Sequence, residues 1–205
     1  MTRGIPNGRR IRTDGEVFRR AHPGELRIGL WFPLCGAAIF QPGATERCGE
    51  DHDPETHLIP LCPEVALGKR SHLKVFGDDY PTADGTPVRD YIHVADLGSA
   101  HVLTLDHLAA GGGSDFLNLG TGRGYSVLQV VDTVRQVTGR RIDVQMAGRR
   151  EGDASHLEAQ AERARRVLGW EPGLADLEGI VRSAWEWQRK HPTGYRSGEQ
   201  RPHGG

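Results

Sequence analysis

The sequence predicts an α/β fold, and three observations carry that reading. From Leu73 onward, short apolar runs alternate with stretches of helical spacing. Ser126 and Gln129 form a capping-box pair at the head of one such stretch. Glycines stand where the helical spacings end, at Gly111-Gly112-Gly113, Gly139 and Gly169.

Each element follows in order. Residues 1–27 show no period of either kind and are rich in Arg, Gly and Pro, so they read as irregular or disordered. Ile28 to Phe40 is the longest apolar stretch and could hold one buried strand; Pro33 and its short length exclude a membrane span. Gly43 to Glu55 is a polar loop. Leu58 to Leu67 reads as a poor helix, because Pro60 and Pro63 lie inside it. Leu73-Lys74-Val75-Phe76 is a short strand. Leu97, Ala100, Thr104, Leu105 and Leu108 place a helix over Val94 to Ala109. Phe116-Leu117-Asn118-Leu119 reads as a strand. Val127, Val130, Val131, Val134 and Val137 line one face of the capped helix that follows. Ile142, Val144 and Met146 alternate as a strand. Ala161, Ala164, Val167 and Leu168 predict a short helix. Leu177, Ile180, Val181, Ala184 and Trp185 predict the last one. Residues 196–205 read as a disordered polar tail.

Composition narrows the partners. Net charge is -1, so no global field draws this chain to nucleic acid or to a membrane. Residues 1–30 are locally basic, with seven arginines against Asp14, Glu16 and Glu25. Cys35, Cys48 and Cys62 are too few and too irregularly spaced for a disulfide framework or a zinc site, which implies free thiols in a reducing cytoplasm. The basic segment before Ile28 resembles a secretory signal but is long and lacks a small-residue cleavage site. The histidines have no metal spacing, and no metal ligand set is assigned. His93, at the head of a helix, reads as a packing or capping residue. Trp170, Trp185 and Trp187 read as core and edge anchors.

Gly120-Thr-Gly122-Arg-Gly124-Tyr125 lies between a strand and a helix, the context of a dinucleotide-binding turn. Tyr125 stands where that turn needs a third glycine for close packing of helix on strand. About 80 residues follow, too few for the rest of a doubly wound sheet. The turn therefore reads as a strand-to-helix connection, and no cofactor-binding residue is assigned.

Arginine and carboxylate groups supply the chemistry for a nucleotide ligand. An arginine fork donates two hydrogen bonds to phosphate oxygens and stays charged. A carboxylate accepts both protons of a ribose diol. Arg89 follows the loop of LKVFGDDYPTADGTPVRDYIHVAD (Leu73 to Asp96), and GRREGD places Arg150 and Asp153 around Gly152.

Those two segments, with PETHLIP before them, resemble the NAD-dependent UDP-glucose 4-epimerases of the extended short-chain dehydrogenase/reductase family. The resemblance runs from about residue 43 to 195, about three-quarters of the chain. It implies that residues 43–195 are a UDP-sugar-binding lobe, the C-terminal substrate lobe of that fold, with the Rossmann NAD-binding domain largely missing. It also implies particular roles. Arg89 and Arg150 would clamp the diphosphate and Asp153 would hold the ribose. Lys74, Val75 and Phe76 would face the uracil. His57 and Leu58 would lie over the phosphates and sugar, and Leu157 would limit sugar bulk. The implied ligand is UDP-glucose or UDP-galactose, in galactose metabolism, and family members are often cytoplasmic homodimers.

Epimerisation at C4 in the family uses NAD to take a hydride, and a tyrosine with a lysine four residues on to take the proton. Of Tyr80, Tyr91, Tyr125 and Tyr195, none has lysine at that spacing, and no strand-GxxGxxG-helix occurs. The family's Arg-Tyr-Phe-Asn before Gly43-Ala44 is replaced by Ala37-Ala38-Ile39-Phe40. No catalytic residue is assigned. The expectation is a coding region truncated or read out of frame upstream of residue 43, a chain inactive alone, and NAD not bound by it. The alternatives are a UDP-sugar-binding module without turnover and another nucleotide-sugar epimerase or dehydratase.

Overall fold

The computed structural model describes Gly49, Asp51 and residues 54–196. The expected strand at Ile28–Phe40, the irregular start and the tail from residue 197 lie outside the described residues, and the polar loop from Gly43 lies there in most of its length.

Two regions make up the structure. The first packs three helices on a parallel pair of strands. Helix α1 spans Leu58–Ala66, α3 Val127–Thr138 and α5 Leu177–Lys190; β1 spans Leu73–Phe76 and β4 Val144–Ala147. β1 and β4 pair in parallel with Leu73 opposite Val144 and Phe76 opposite Ala147. Strand β1 alternates as the sequence predicts, with Leu73 and Val75 buried and Lys74 exposed. Helix α3 carries the expected capping box, and its C-cap Gly139 adopts φ 64°. It buries Val130, Val131 and Val134, which meet Ile180 and Val181 of α5 and Ile59 and Cys62 of α1 in one cluster. Ile142, just before β4, is fully buried there as well.

Helix α1 forms despite its two prolines. Pro60 occupies the first turn, where its missing N–H has no intrahelical partner to lose. Pro63 does forfeit one bond, but Ile59, Cys62 and Val65 bury the inner face. Packing of that face outweighs the poor propensity.

The second region is built on α2 (Val94–Ala109) and α4 (Glu162–Leu168), with Trp170 buried between them. The Trp170 indole donates to the Asp96 carbonyl at 3.0 Å, and the Asp96 carboxylate accepts from the Gly173 and Leu174 amides. Helix α4 ends on Gly169 at φ 65°, as expected. Only the first half of α2 is covered. Leu97 and Ala100 are buried, whereas Val102, Leu105 and Leu108 are exposed.

Three strands escape sequence reading: β2 (Val88–Asp90), β3 (Gly124–Ser126) and β5 (His156–Leu157). They form one small sheet in the order β3-β2-β5, antiparallel on one side of β2 and parallel on the other. Segments of two or three residues are too short to show a period. The strand expected at Phe116–Leu119 does not form. No described strand pairs with it, and Phe116 is 50% exposed; without a ladder its apolar run has nothing to hold it as a strand.

Candidate ligand-binding site

Strand β2 organises the site because its alternation sends Arg89 and Asp90 to opposite faces. Asp90 faces the glycine turn. Its Oδ1 accepts from the Thr121 amide at 3.0 Å and the Thr121 hydroxyl at 2.6 Å, and its Oδ2 accepts from the Gly122 amide at 3.0 Å. A Cβ on Gly120 would stand 2.6 Å from Asp90 Oδ2 and 2.5 Å from the Ala159 Cβ. The amides that a pyrophosphate would require are thus bonded to a carboxylate of the chain itself.

The loop before β2 is pinned from the other side. Asp84 accepts from the Thr86 amide at 2.9 Å, the Thr86 hydroxyl at 2.7 Å and the Ser126 hydroxyl. Burial pushes the Asp84 carboxyl up, and the hydrogen bonds from Ser126 and Thr86 more than reverse this, leaving it below the usual carboxylate value. Ser126 serves α3 and this loop together, since its oxygen also accepts from the Gln129 amide at 3.1 Å.

Between β1, β2, β5 and the turn after β4 lies a cavity of about 860 Å³, within the range of small-molecule sites. Of the nine residues assigned from the sequence, Leu58, Lys74, Val75, Phe76, Arg89, Arg150, Asp153 and Leu157 line it. His57 does not. It is the N-cap residue of α1, and its Nδ1 lies 3.0 Å from Glu55 Oε1. Leu157 sits opposite Arg89 in the β2–β5 register.

Arg89 is buried. Its Nη1 donates to the Val88 carbonyl at 2.7 Å and its Nη2 donates to Asp153 Oδ1. This pair joins residues 64 apart in sequence. Arg150 lies over the Phe76 ring, its guanidinium carbon 3.9 Å from the ring centroid, with Lys74 Nζ at 5.3 Å. Two arginines, a carboxylate and an aromatic face therefore converge on one cavity, where Arg89 engages Asp153 and Arg150 engages Phe76.

Sequence reading missed the turn Lys69–His72, which lines the same cavity just ahead of β1. Its position next to an assigned strand was the available signal. Two other groups are structural. The Cys62 thiol is buried, and burial pushes its pKa up to about 12. His93 caps α2, its Nδ1 accepting from the Ala95 amide at 3.0 Å. Burial holds the His93 pKa below its usual value, against the nearby Asp96 charge. Among the described residues no cluster of His, Cys, Asp or Glu could hold a metal ion, and no helix is long and apolar enough to cross a membrane.

Residues 42–120 match the model of the NAD dependent epimerase/dehydratase family. The chain is 52% identical over 149 residues to a UDP-glucose 4-epimerase of Halalkalibacterium halodurans, covering 73% of this chain and 45% of that protein. Over these residues the chain is similar to the epimerase/dehydratase family. A crystal structure of a UDP-glucose 4-epimerase superposes with a TM-score of 0.73 at 52% identity, over 75% of this chain and 47% of that one. The Bifidobacterium longum UDP-glucose 4-epimerase, solved in complex with NAD+ and UDP, superposes with a TM-score of 0.69 at 39% identity, over 76% of this chain and 47% of its own. The chain thus spans under half the length of the curated relatives it matches. The α/β expectation holds, and the fold matches part of these UDP-glucose 4-epimerase structures.

Proposed function

We propose that residues 43–195 form the UDP-sugar-binding lobe of a UDP-glucose 4-epimerase, and that these 205 residues bind the nucleotide without turning the sugar over. The observation that carries this reading is the convergence of Arg89, Arg150, Asp153 and Phe76 on one cavity. Arg89 and Arg150 meet the diphosphate, Asp153 accepts from the ribose hydroxyls, and Lys74–Phe76 offers backbone and a ring to the uracil. Leu157, half-buried on β5, meets the sugar.

Binding exchanges partners instead of filling vacant ones. Arg89 must trade the Asp153 carboxylate for phosphate oxygens, and Arg150 must leave or share the face of Phe76. Each exchange replaces one charge-assisted contact by another, so the net gain is smaller than the gross contacts imply.

Among the described residues the glycine turn does not fit NAD. The amides of its glycine turn are bonded to Asp90. No Tyr-x-x-x-Lys occurs in it to move a proton. We assign hydride and proton transfer to none of its residues.

Calorimetric titration with UDP, with and without NAD, tests the binding half, and an assay on UDP-galactose tests the rest. Micromolar UDP binding indifferent to NAD, with no conversion, is expected. A chain that ignores UDP sinks the lobe assignment; unaided conversion to UDP-glucose sinks the absence of turnover.

A further inference from the structure

Arg149 and Arg150 are neighbours that face different partners. Arg150 lines the cavity over Phe76; Arg149 lies outside the lining. The Arg149 Nε donates to Asp79 Oδ1 at 2.5 Å, its Nη2 donates to the Asp79 carbonyl, and its guanidinium carbon stands 4.2 Å from the Tyr80 ring centroid.

These partners lie just beyond β1, as Arg149 lies just beyond β4. The two strands end opposite each other at Phe76 and Ala147, and the Gly77 amide then donates to the Ala147 carbonyl at 2.8 Å. Arg149 continues that pairing past the last ladder rung. Gly77 makes the approach possible: its φ is +87°, and a Cβ there would stand 2.3 Å from Tyr80 Cε2 and 3.0 Å from Arg149 Cγ. Past Arg149 the chain turns at Gly152, with φ 77°, and the Asp153 amide donates to the Arg150 carbonyl at 3.3 Å. Arg150 and Asp153 reach the cavity from the two sides of that turn.

We infer that Arg149 is a positioning residue, clasped between Asp79 and Tyr80, which holds the Arg150–Asp153 turn at the angle that aims both side chains at the nucleotide. The ligand named here rests on the UDP-sugar reading; the clasp itself does not. The competing account makes Arg149 a third positive charge that attracts the diphosphate from a distance.

Asp79→Ala separates the two by sign. Removing an exposed carboxylate leaves Arg149 charged, so a pure charge effect strengthens UDP binding. Loss of the clasp weakens it, by about threefold to fivefold, the factor that one part-exposed ion pair transmits. Arg149→Lys preserves the charge and loses the fork, so it also weakens UDP binding if Arg149 positions, and leaves it unchanged if Arg149 only attracts. Uridine, which has no diphosphate, loses affinity in both variants through a displaced Asp153. Hydrogen exchange needs no ligand: amides of residues 150–153 exchange faster in Asp79→Ala than in the parent. Unchanged exchange, or equal or tighter UDP binding by Asp79→Ala, overturns the inference. A parent chain that binds no UDP defeats only the lobe reading, and the exchange comparison still decides the role of Arg149.

Discussion

The two regions of this molecule finish their cores differently. Helices α1, α3 and α5 close over β1 and β4, and Val130, Val131, Val134 and Ile180 are all fully buried. The α2–α4 region buries Trp170 and Leu97 on one side and leaves Val102, Leu105, Leu108 and Phe116 exposed along another. A row of large apolar side chains on water is uncommon on a self-sufficient domain. The cavity belongs to the closed region, where β1 and the turn after β4 form its wall. The contrast teaches that the wall of the cavity is set by a core closed on all its helices, while the α2 face is packed on one side only.

The largest expected effect tests that contrast directly. Ile180→Ala opens a cavity in the closed core and costs about 2–5 kcal/mol. Leu105→Ala, on a side chain already 47% exposed, changes stability by about 0.5 kcal/mol or less. Urea denaturation of both variants checks the difference. Equal losses would mean that the α2 face is covered in solution.

Next in size is the glycine turn that joins the regions. Gly120→Ala brings a methyl group to within 2.6 Å of Asp90 Oδ2 and 2.5 Å of the Ala159 Cβ. Overpacking of this kind costs about 1–3 kcal/mol. A melt should show the loss with and without NAD alike. Protection of the parent by NAD, absent from the variant, would return the turn to a cofactor role.

A smaller effect comes from the seam between the regions. His93 heads α2, and its Nε2 lies 3.1 Å from Ser183 Oγ on α5. Because Nδ1 accepts from the Ala95 amide, the Nε2–H donates to Ser183, whose own hydroxyl donates to the Ile180 carbonyl at 2.8 Å. Only the neutral ring satisfies this chain of donors. The folded-state pKa lies below the unfolded 6.5, so the contribution is complete above that value and is lost as pH falls through the lower, folded one. Stability should decline as pH falls below 6.5, and His93→Asn, which keeps a helix cap, should flatten that part of the profile. An unchanged slope in the variant would assign the acid sensitivity elsewhere.

Much of this was legible in the sequence, for reasons that lie in particular residues. Helices α2 to α5 announce themselves through caps and spacing, as Ser126 with Gln129 and Gly139 does for α3. Strand β1 alternates over its four residues and could be placed. Strands β2, β3 and β5 could not, because two or three residues hold no period and their pairing is tertiary. Helix α1 was legible only as a poor helix, because the burial of Ile59 and Cys62 that outweighs its prolines is invisible before the fold is known. Eight of the nine assigned site residues line one cavity, placed there by motif likeness and not by any pattern of their own. What no motif conveyed was their mutual engagement: Arg89 with Asp153, and Arg150 with Phe76. Such pairs join residues far apart in the chain, and only the path of the backbone brings them together.

The smallest expected effect carries the opposite sign and sits beside the cavity wall. Tyr80 is buried; its ring supports Arg149, and its hydroxyl has no hydrogen-bond partner among the described residues. A buried donor left unbonded opposes folding. Burial, reinforced by the Asp153 carboxylate, also holds the phenol above its ordinary pKa, so the group stays protonated at neutral pH and acts as no base there. Tyr80→Phe keeps the ring and removes the orphaned hydroxyl. Stability should hold or rise by up to about 1 kcal/mol, with UDP affinity unchanged. Tyr80→Leu removes the ring as well and should weaken UDP binding as Asp79→Ala does. If phenylalanine proves as damaging as leucine, the hydroxyl serves the ligand, and the closed region would owe its grip to a hydrogen bond from Tyr80 to the nucleotide instead of to the clasp on Arg149.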